Sequence, residues 1–370
     1  MHSLLAIIWD IHPEVFGFLD NNSIPIRWYG LLFASTFLIG YKLMDQMFKK
    51  DGAPEEWLDK VFIYVIIGTI VGARLGHVLF YGPYHTPQGT GYFDQPLSIL
   101  KVWEGGLASH GAAIAIIISL MIYSKKVTKK SVLWVLDRVV ITVAIAGCLI
   151  RTGNLMNSEM IGKASSSGLD FIFTRYTEDY IGSRLGDRLE EIEFEDAEKI
   201  IEYQGRKVAV MEGSIEVNNR LNEELFRNYL TQQLPQELNQ FNEADQHVVL
   251  DPSAMNLEVE NTGRGYEAEF VAYGVVRHPA QLYEAISYLF IFLLLYWLYW
   301  KKGYGKRQGF IFGMFLILIF GARFFIEFLK VNQVAFEEDL ALNMGQNLSI
   351  PLVAAGIFFV VRAFKIEPKE

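Results

Sequence analysis

Seven apolar runs, each close to the ~20 residues an α-helix needs to cross a bilayer, leave this chain little choice of solvent. They fall at residues 27–48, 61–81, 107–123, 132–151, 281–300, 309–329 and 348–364. A soluble chain of 370 residues would divide into about two or three domains, but 51% hydrophobic residues, 14% aromatics and a mean hydropathy of +0.21 argue for lipid. Inside a bilayer a segment must satisfy its own backbone hydrogen bonds, and runs of this length do so as helices. The fold expected is an all-α polytopic membrane protein with seven transmembrane helices and an inserted extracytoplasmic α+β head.

The charges set the orientation. Lys49, Lys50 and Lys60 follow the first run, while the loop after the second (GPYHTPQGTGYFDQPLS) has no Lys or Arg. Next come SKKVTKKS after the third run, KKGYGKRQ after the fifth, an acidic loop after the sixth, and Arg362, Lys365 and Lys369 at the end. Basic loops stay in the cytoplasm, so the N-terminus is expected outside and the C-terminus inside. Residues 163–277 carry a net charge of −12 and the remainder +3, so an acidic hydrophilic block interrupts a slightly basic membrane body. Four segments result: an interfacial piece at 1–24, amphipathic rather than spanning; the body at 25–162; the external block at 163–277; and the body again at 278–370. The block has strand-like runs (RKVAVM, SIEVN, QHVVL, YEAEFVAYGVV) and a helix-like one (RLNEELFRNYLTQQL), so it is expected to fold. The N-terminus lacks a basic n-region and an adequate apolar core, so no cleaved signal peptide is expected.

Several chemistries drop out. There is no basic stripe for nucleic acid. Cys148, the single cysteine, lies in an apolar run and reads as a small packing residue, excluding an internal disulfide framework and a cysteine metal site. No His/Asp/Glu cluster has ligand spacing, and no HExxH, GxSxG or P-loop occurs, so neither metal nor cofactor is expected.

Ionisable residues within spans are costly and mark function by default. The densest group is IRTGNLMNSEMIG at 150–162, where Arg151 and Asn154 share a helix face. Glu159 follows, and Gly153 and Gly162 permit close backbone approach. Arg151 reads either as an interfacial arginine snorkelling to the outer headgroups or as a cation that receives a phospholipid headgroup. His110, in GGLASHGAA, is either a structural helix-end histidine or an acid–base group, of the residue type that titrates near ambient pH. Arg323 and Glu327, four apart, are a self-neutralised pair or part of a site. In RHPAQLYE, Pro279 suits a first helical turn, with His278 and Tyr283 beside it. Arg74 and His77 add a polar patch to the second run.

These residues carry a resemblance. IRTGNLMNSEMIG resembles the signature of the prolipoprotein diacylglyceryl transferases, which reads GRxGNFxNxExxG. RWYG (27–30), GARLGHVLFY (72–81), WEGGLASHG (103–111), RHPAQLYE (277–284), RFFIEF (323–328) and MGQNLSIP (344–351) follow in the family's order. Ile150 replaces the signature's opening glycine, Ala112 the second glycine after the histidine, Lys330 a frequent arginine and Ile319 a frequent tyrosine. The 163–275 block is longer than in typical members.

The resemblance implies an enzyme of the bacterial cytoplasmic (inner) membrane. It would move the diacylglyceryl group of phosphatidylglycerol onto the lipobox cysteine that follows a prolipoprotein's signal peptide, forming a thioether and releasing glycerol-1-phosphate. Arg151 and Arg323 would hold the phosphodiester and stabilise the departing charge. Asn154 would hydrogen-bond the headgroup and Glu327 would orient Arg323. The nucleophile is the substrate's thiol, which attacks as thiolate, so a base is needed: His110 first, His278 second. Tyr29, Glu159 and Gly162 line the site by the family match alone. Membrane lipid is the other partner. A lipid flippase or secondary transporter is the rival reading, but such proteins usually show repeated halves with broken helices, and no matching halves are visible. The external block either guides the peptide beyond the lipobox or serves as a stabiliser or partner surface.

Overall fold

A computed structural model describes residues 6–15, 26–81, 92, 95–101, 106–164, 169–242, 245–331 and 341–366. Residues 103–105 of the WEGG motif, most of the loop at 82–98 and the acidic loop at 332–340 lie outside the described residues. In chain order the helices are α1 (Trp28–Lys50), α2 (Glu55–Tyr81), α3 (Ser109–Tyr123), α4 (Val132–Met156), α5 (Arg175–Leu185), α6 (Glu223–Asn228), α7 (Leu234–Asn239), α8 (Ala280–Trp300), α9 (Phe310–Ile326) and α10 (Met344–Lys365). Among the described residues, α2, α3, α4, α8, α9 and α10 are long and apolar enough to cross a membrane. The chain is therefore a polytopic membrane protein. The helix α1 has 23 residues, but Lys42, Asp45, Lys49 and Lys50 lower its hydropathy.

The chain divides into two compact units. The first comprises Met1–Ala34, Gly147–Tyr288 and Phe320–Pro351; the second comprises Ser35–Ala146, Leu289–Ile319 and Leu352–Glu370.

The first unit holds the strands β1 (Ile7–Trp9), β2 (Phe171–Phe173), β3 (Leu189–Tyr203), β4 (Arg206–Asn218), β5 (Val248–Val249), β6 (Glu258–Asn261) and β7 (Gly265–Val275). β3, β4 and β7 run antiparallel in that order, and β5 and β6 both pair with β7. Period-two alternation dictates the faces of β4. Ala209, Met211, Ile215 and Val217 are buried in one core with Phe226, Leu230 and Leu234, whereas Glu212 is exposed. A Cβ at Gly213 would come within 2.6 Å of the Phe270 ring, so the ring packs directly over the glycine. The sequence reading found β4, β5 and β7; it did not find β1, β2, β3 or β6.

The N-terminal segment contributes β1, which pairs in parallel with β2. The indole of Trp9 donates to the carbonyl of Leu155, 2.9 Å away, tying this pair to the end of α4. Arg277 is fully buried and joins the sheet to the residues before α8: Nη1 donates to Gly162 O (3.2 Å) and Nη2 to Gln246 O (3.0 Å). Phe171 and Arg277 also exchange backbone hydrogen bonds. Hydrogen bonds from a charged donor contribute about 1.5–3 kcal/mol each, so this arginine fixes where the sheet meets the helices of its unit.

In the second unit, α2 and α3 pack with almost no side chain between them. A Cβ on Gly72 would lie 2.6 Å from Gly111 O, and one on Gly76 would lie 2.6 Å from Gly111 Cα. Small residues let helix backbones approach this closely in lipid. Asp137, fully buried on α4, accepts from Gly309 N (2.7 Å) and Phe312 N (2.9 Å), capping α9 from a neighbouring helix.

Candidate functional site

The last turns of α4 carry the polar signature. Past Asn154 the helix closes with Ser158 N on Leu155 O (3.0 Å) and Glu159 N on Asn154 O (2.9 Å). Ser158 (φ 53) and Met160 (φ 59) take left-handed conformations, unusual for residues with a Cβ. This tight reversal turns Glu159 back toward Asn154. The Asn154 carboxamide, 5% exposed, accepts from Arg151 Nη1 at 3.2 Å and donates to Glu159 Oε2 at 3.4 Å. Asn157 Nδ2 donates to the other oxygen of Glu159 at 3.1 Å. Tyr29, in the first turn of α1, packs on Gly153, where a Cβ would meet its ring at 3.0 Å.

Gly162 is where three segments meet. Its N–H donates to His278 O (3.0 Å), and a Cβ would lie 2.4 Å from that oxygen and 3.0 Å from Leu329 O. Beside it, Lys163 N donates to Leu329 O at 2.7 Å. The end of α9 and the start of α8 are thereby drawn to the signature turn. His278 is 9% exposed, with Nδ1 3.3 Å from the Tyr283 hydroxyl. Burial pushes its imidazole below the ordinary value, against the opposing charge of Asp170. That favours the uncharged imidazole.

The ionic groups form one chain of contacts. Arg151 Nε stands 2.9 Å from Glu284 Oε2, an ion pair turned off the hydrogen-bond axis. The other Glu284 oxygen accepts from Lys330 Nζ at 3.1 Å, and Lys330 lies 3.7 Å from Glu327 Oε2. Glu327 is 3.9 Å from Arg323 Nε, beyond hydrogen-bonding range. Glu284 is 0% and Lys330 3% exposed. Three cations face two carboxylates in this chain, and a third carboxylate, Glu159, joins Arg151 through Asn154. Arg323 is its loosest member: its side chain is 34% exposed and its Nε makes no hydrogen bond among the described residues. Tyr288 lies in electrostatic reach of both arginines.

The sequence profile of the family described as "Prolipoprotein diacylglyceryl transferase" matches residues 17–362. This chain belongs to that family. A phosphatidylglycerol–prolipoprotein diacylglyceryl transferase from Porphyromonas gingivalis is 35% identical over 365 residues, 97% of this chain and 95% of the relative. Similarly named proteins from Tolumonas auensis and Chloroherpeton thalassium are each 32% identical over 359 residues, covering 97% of this chain and 98% and 95% of theirs.

Of the residues singled out from sequence, the first unit of this family member brings together Tyr29, Arg151, Asn154, Glu159, Gly162, His278, Arg323 and Glu327. His110 belongs to the second unit, exposed in the first turn of α3. Sequence reasoning missed Glu284 and Lys330 as site residues. The signal was available in part: Glu284 closes the RHPAQLYE motif, and Lys330 stands one turn beyond Glu327.

Proposed function

We propose that this enzyme transfers the diacylglyceryl group of phosphatidylglycerol to the lipobox cysteine thiol of prolipoproteins. The observation that carries the mechanism is the ionic chain: arginines from α4 and α9 are linked through Glu284, Lys330 and Glu327, with Arg323 the most loosely held member. A phosphodiester bears one negative charge, which a loosely paired guanidinium can take up. Arg323, the least satisfied cation, takes a non-bridging oxygen together with Arg151; Asn154 and Tyr29 line the headgroup side, and Glu327 orients Arg323. The substrate thiolate attacks the glyceryl carbon that bears the phosphate. The carbon–sulfur bond forms as the carbon–oxygen bond breaks, its electron pair passing to the phosphate oxygen. Glycerol-1-phosphate leaves as an anion whose growing charge the guanidinium groups stabilise. The thiol proton goes to His110, the first choice as base on its motif, with His278 as the second.

The reaction is placed at the outer face of the bacterial cytoplasmic membrane. In this reading α1 is a seventh span, the N-terminus lies outside and the C-terminus in the cytoplasm, and residues 163–277 form an extracytoplasmic head. The alternation of basic and non-basic loops supports that topology.

Purified protein given phosphatidylglycerol and a lipobox peptide should release glycerol phosphate only when the peptide carries its cysteine. Arg151→Ala and Arg323→Ala should each lower turnover by about 100-fold or more, the usual scale for losing a charge-stabilising donor, with circular dichroism unchanged. Full activity in either variant refutes the phosphate clamp.

A further inference from the structure

We propose that Arg74 is a positioning residue for this reaction: it grips the segment ahead of α3 and so places His110. The inference rests on the reading of His110 as the thiol's base. Arg74 lies on α2 and is 4% exposed, and its guanidinium donates to four acceptors in the segment ahead of α3. Nε donates to Ile99 O (2.8 Å), Nη2 to Ser98 O, and Nη1 to both Gly106 O and the Tyr92 hydroxyl (3.2 Å each). The Tyr92 ring stacks against it, 4.8 Å from Cζ to the ring centroid. Only the planar fork of an arginine presents donors in so many directions at once; a lysine is a point charge on a flexible stem.

Two further features carry this grip to the histidine. Gly106 has φ +74, and a Cβ there would stand 2.8 Å from Arg74 Nη1 and 2.7 Å from the His77 ring. Its carbonyl reaches Arg74 because the position is glycine. Two residues on, Ala108 N donates to Ala73 O (2.9 Å), so the neighbour of Arg74 holds the residue that precedes α3. Gly111, directly after His110, is locked against α2, where a Cβ would come within 2.6 Å of Gly76 Cα. His110 itself is exposed. Its backbone is thus held on both sides while its ring is left accessible, the arrangement expected of a base whose setting is rigid.

The test is a double-mutant cycle on the full-length enzyme with phosphatidylglycerol and a lipobox peptide. Arg74→Gln should lower kcat by about 10- to 100-fold, the cost of misplacing a catalytic group by an ångström or so, and leave KM for phosphatidylglycerol within about twofold. In the His110→Gln background the same change should cost almost nothing, because residues acting as one unit are not additive. Arg74→Lys should recover only part of the rate. Hydrogen exchange should rise at 95–101 and 106–108 in Arg74→Gln and stay unchanged in α9. An Arg74→Gln penalty of equal size with and without His110 overturns the proposal, as does an unaltered kcat. A fully active His110→Gln sinks the base assignment and this inference together, whereas an additive cycle with an inactive His110→Gln sinks this inference alone. If Arg74→Gln does not accumulate, Gly106→Ala, which pushes a methyl group into the guanidinium, takes its place in the cycle, and the same outcomes support or overturn the proposal.

Discussion

Glu284 is fully buried, and both of its ion-pair partners are cations. Removing one partner of a buried pair leaves the other uncompensated, at about 3–5 kcal/mol. Glu284→Gln should therefore lower thermal stability and also free Arg151 and Lys330, and, if the proposed clamp holds the lipid, raise KM for phosphatidylglycerol. A variant with unchanged melting temperature and kinetics would show that the pair is idle. Lys330→Arg should keep most activity, since a guanidinium can still reach both Glu284 and Glu327; Lys330→Met should behave like the Glu284 variant. Arginine and histidine in apolar runs were legible from sequence because their cost is local. The role of Glu284 was not: a carboxylate in a helix's first turn is ordinary until residues from α4 and the end of α9 arrive beside it. Arg74 was noticed, but its partners lie 18 to 32 positions away in a segment with no periodicity to read.

At the scale of elements, the turn after α4 decides whether the site assembles. Gly162→Ala would force a methyl group into backbone, 2.4 Å from His278 O, where no flexible side chain can yield. Activity should fall by at least about tenfold with a lowered melting temperature, as for other strained sites of this kind; wild-type kinetics would show that the three-segment junction tolerates slack. Six of the seven runs coincide with helices long and apolar enough to cross a membrane, because lipid permits one reading of a long apolar run; their ends were less legible, α2 beginning at Glu55 rather than at 61. β4 and β7 were legible by alternation. β3 was not, since Glu190, Glu191, Glu193, Glu195, Asp196, Glu198 and Glu202 resemble a solvated linker, and only pairing with β4 makes Ile192 and Phe194 an inward stripe. The sheet's attachment gives a pH prediction. Burial first, and then the charge of Arg277, hold His247 at a pKa of about 3. Below its ordinary 6.5 the unfolded chain takes a proton that the folded chain refuses, so the contribution is full above pH 6.5 and is lost as pH falls toward 3, at up to about 1.4 kcal/mol per unit. Glu178, whose carboxyl burial raises, works in the opposite sense. The difference between wild type and His247→Gln isolates the histidine: exchange protection of β4 and β7 amides should drop between pH 7.5 and 5.5 in the former and much less in the latter.

For the whole molecule, charge asymmetry does the arranging. A block of net −12 set into a body of net +3 has no lysine-rich flank to hold it in the cytoplasm, while the loops at 124–131 and 301–308 each carry four basic residues. An odd number of spans is needed to put the two ends of such a chain on opposite sides, and that depends on α1, the long helix with the weakest apolar character. The chain's chemistry makes this testable, because Cys148 is the one cysteine and lies half-buried on α4. In a Cys148→Ser background, single cysteines can be placed at exposed positions: His12→Cys before α1, Lys126→Cys and Lys302→Cys in basic loops, Glu260→Cys on β6 and Lys365→Cys at the end of α10. A membrane-impermeant maleimide added to intact spheroplasts should label 12 and 260 and spare 126, 302 and 365 until the membrane is opened. Label at 260 but not at 12 would mean that α1 lies along the membrane and the bundle has six crossings. Label at 126 and 302 in place of 260 would invert the protein and put the phosphate clamp on the cytoplasmic side, away from any thiol that has already been exported.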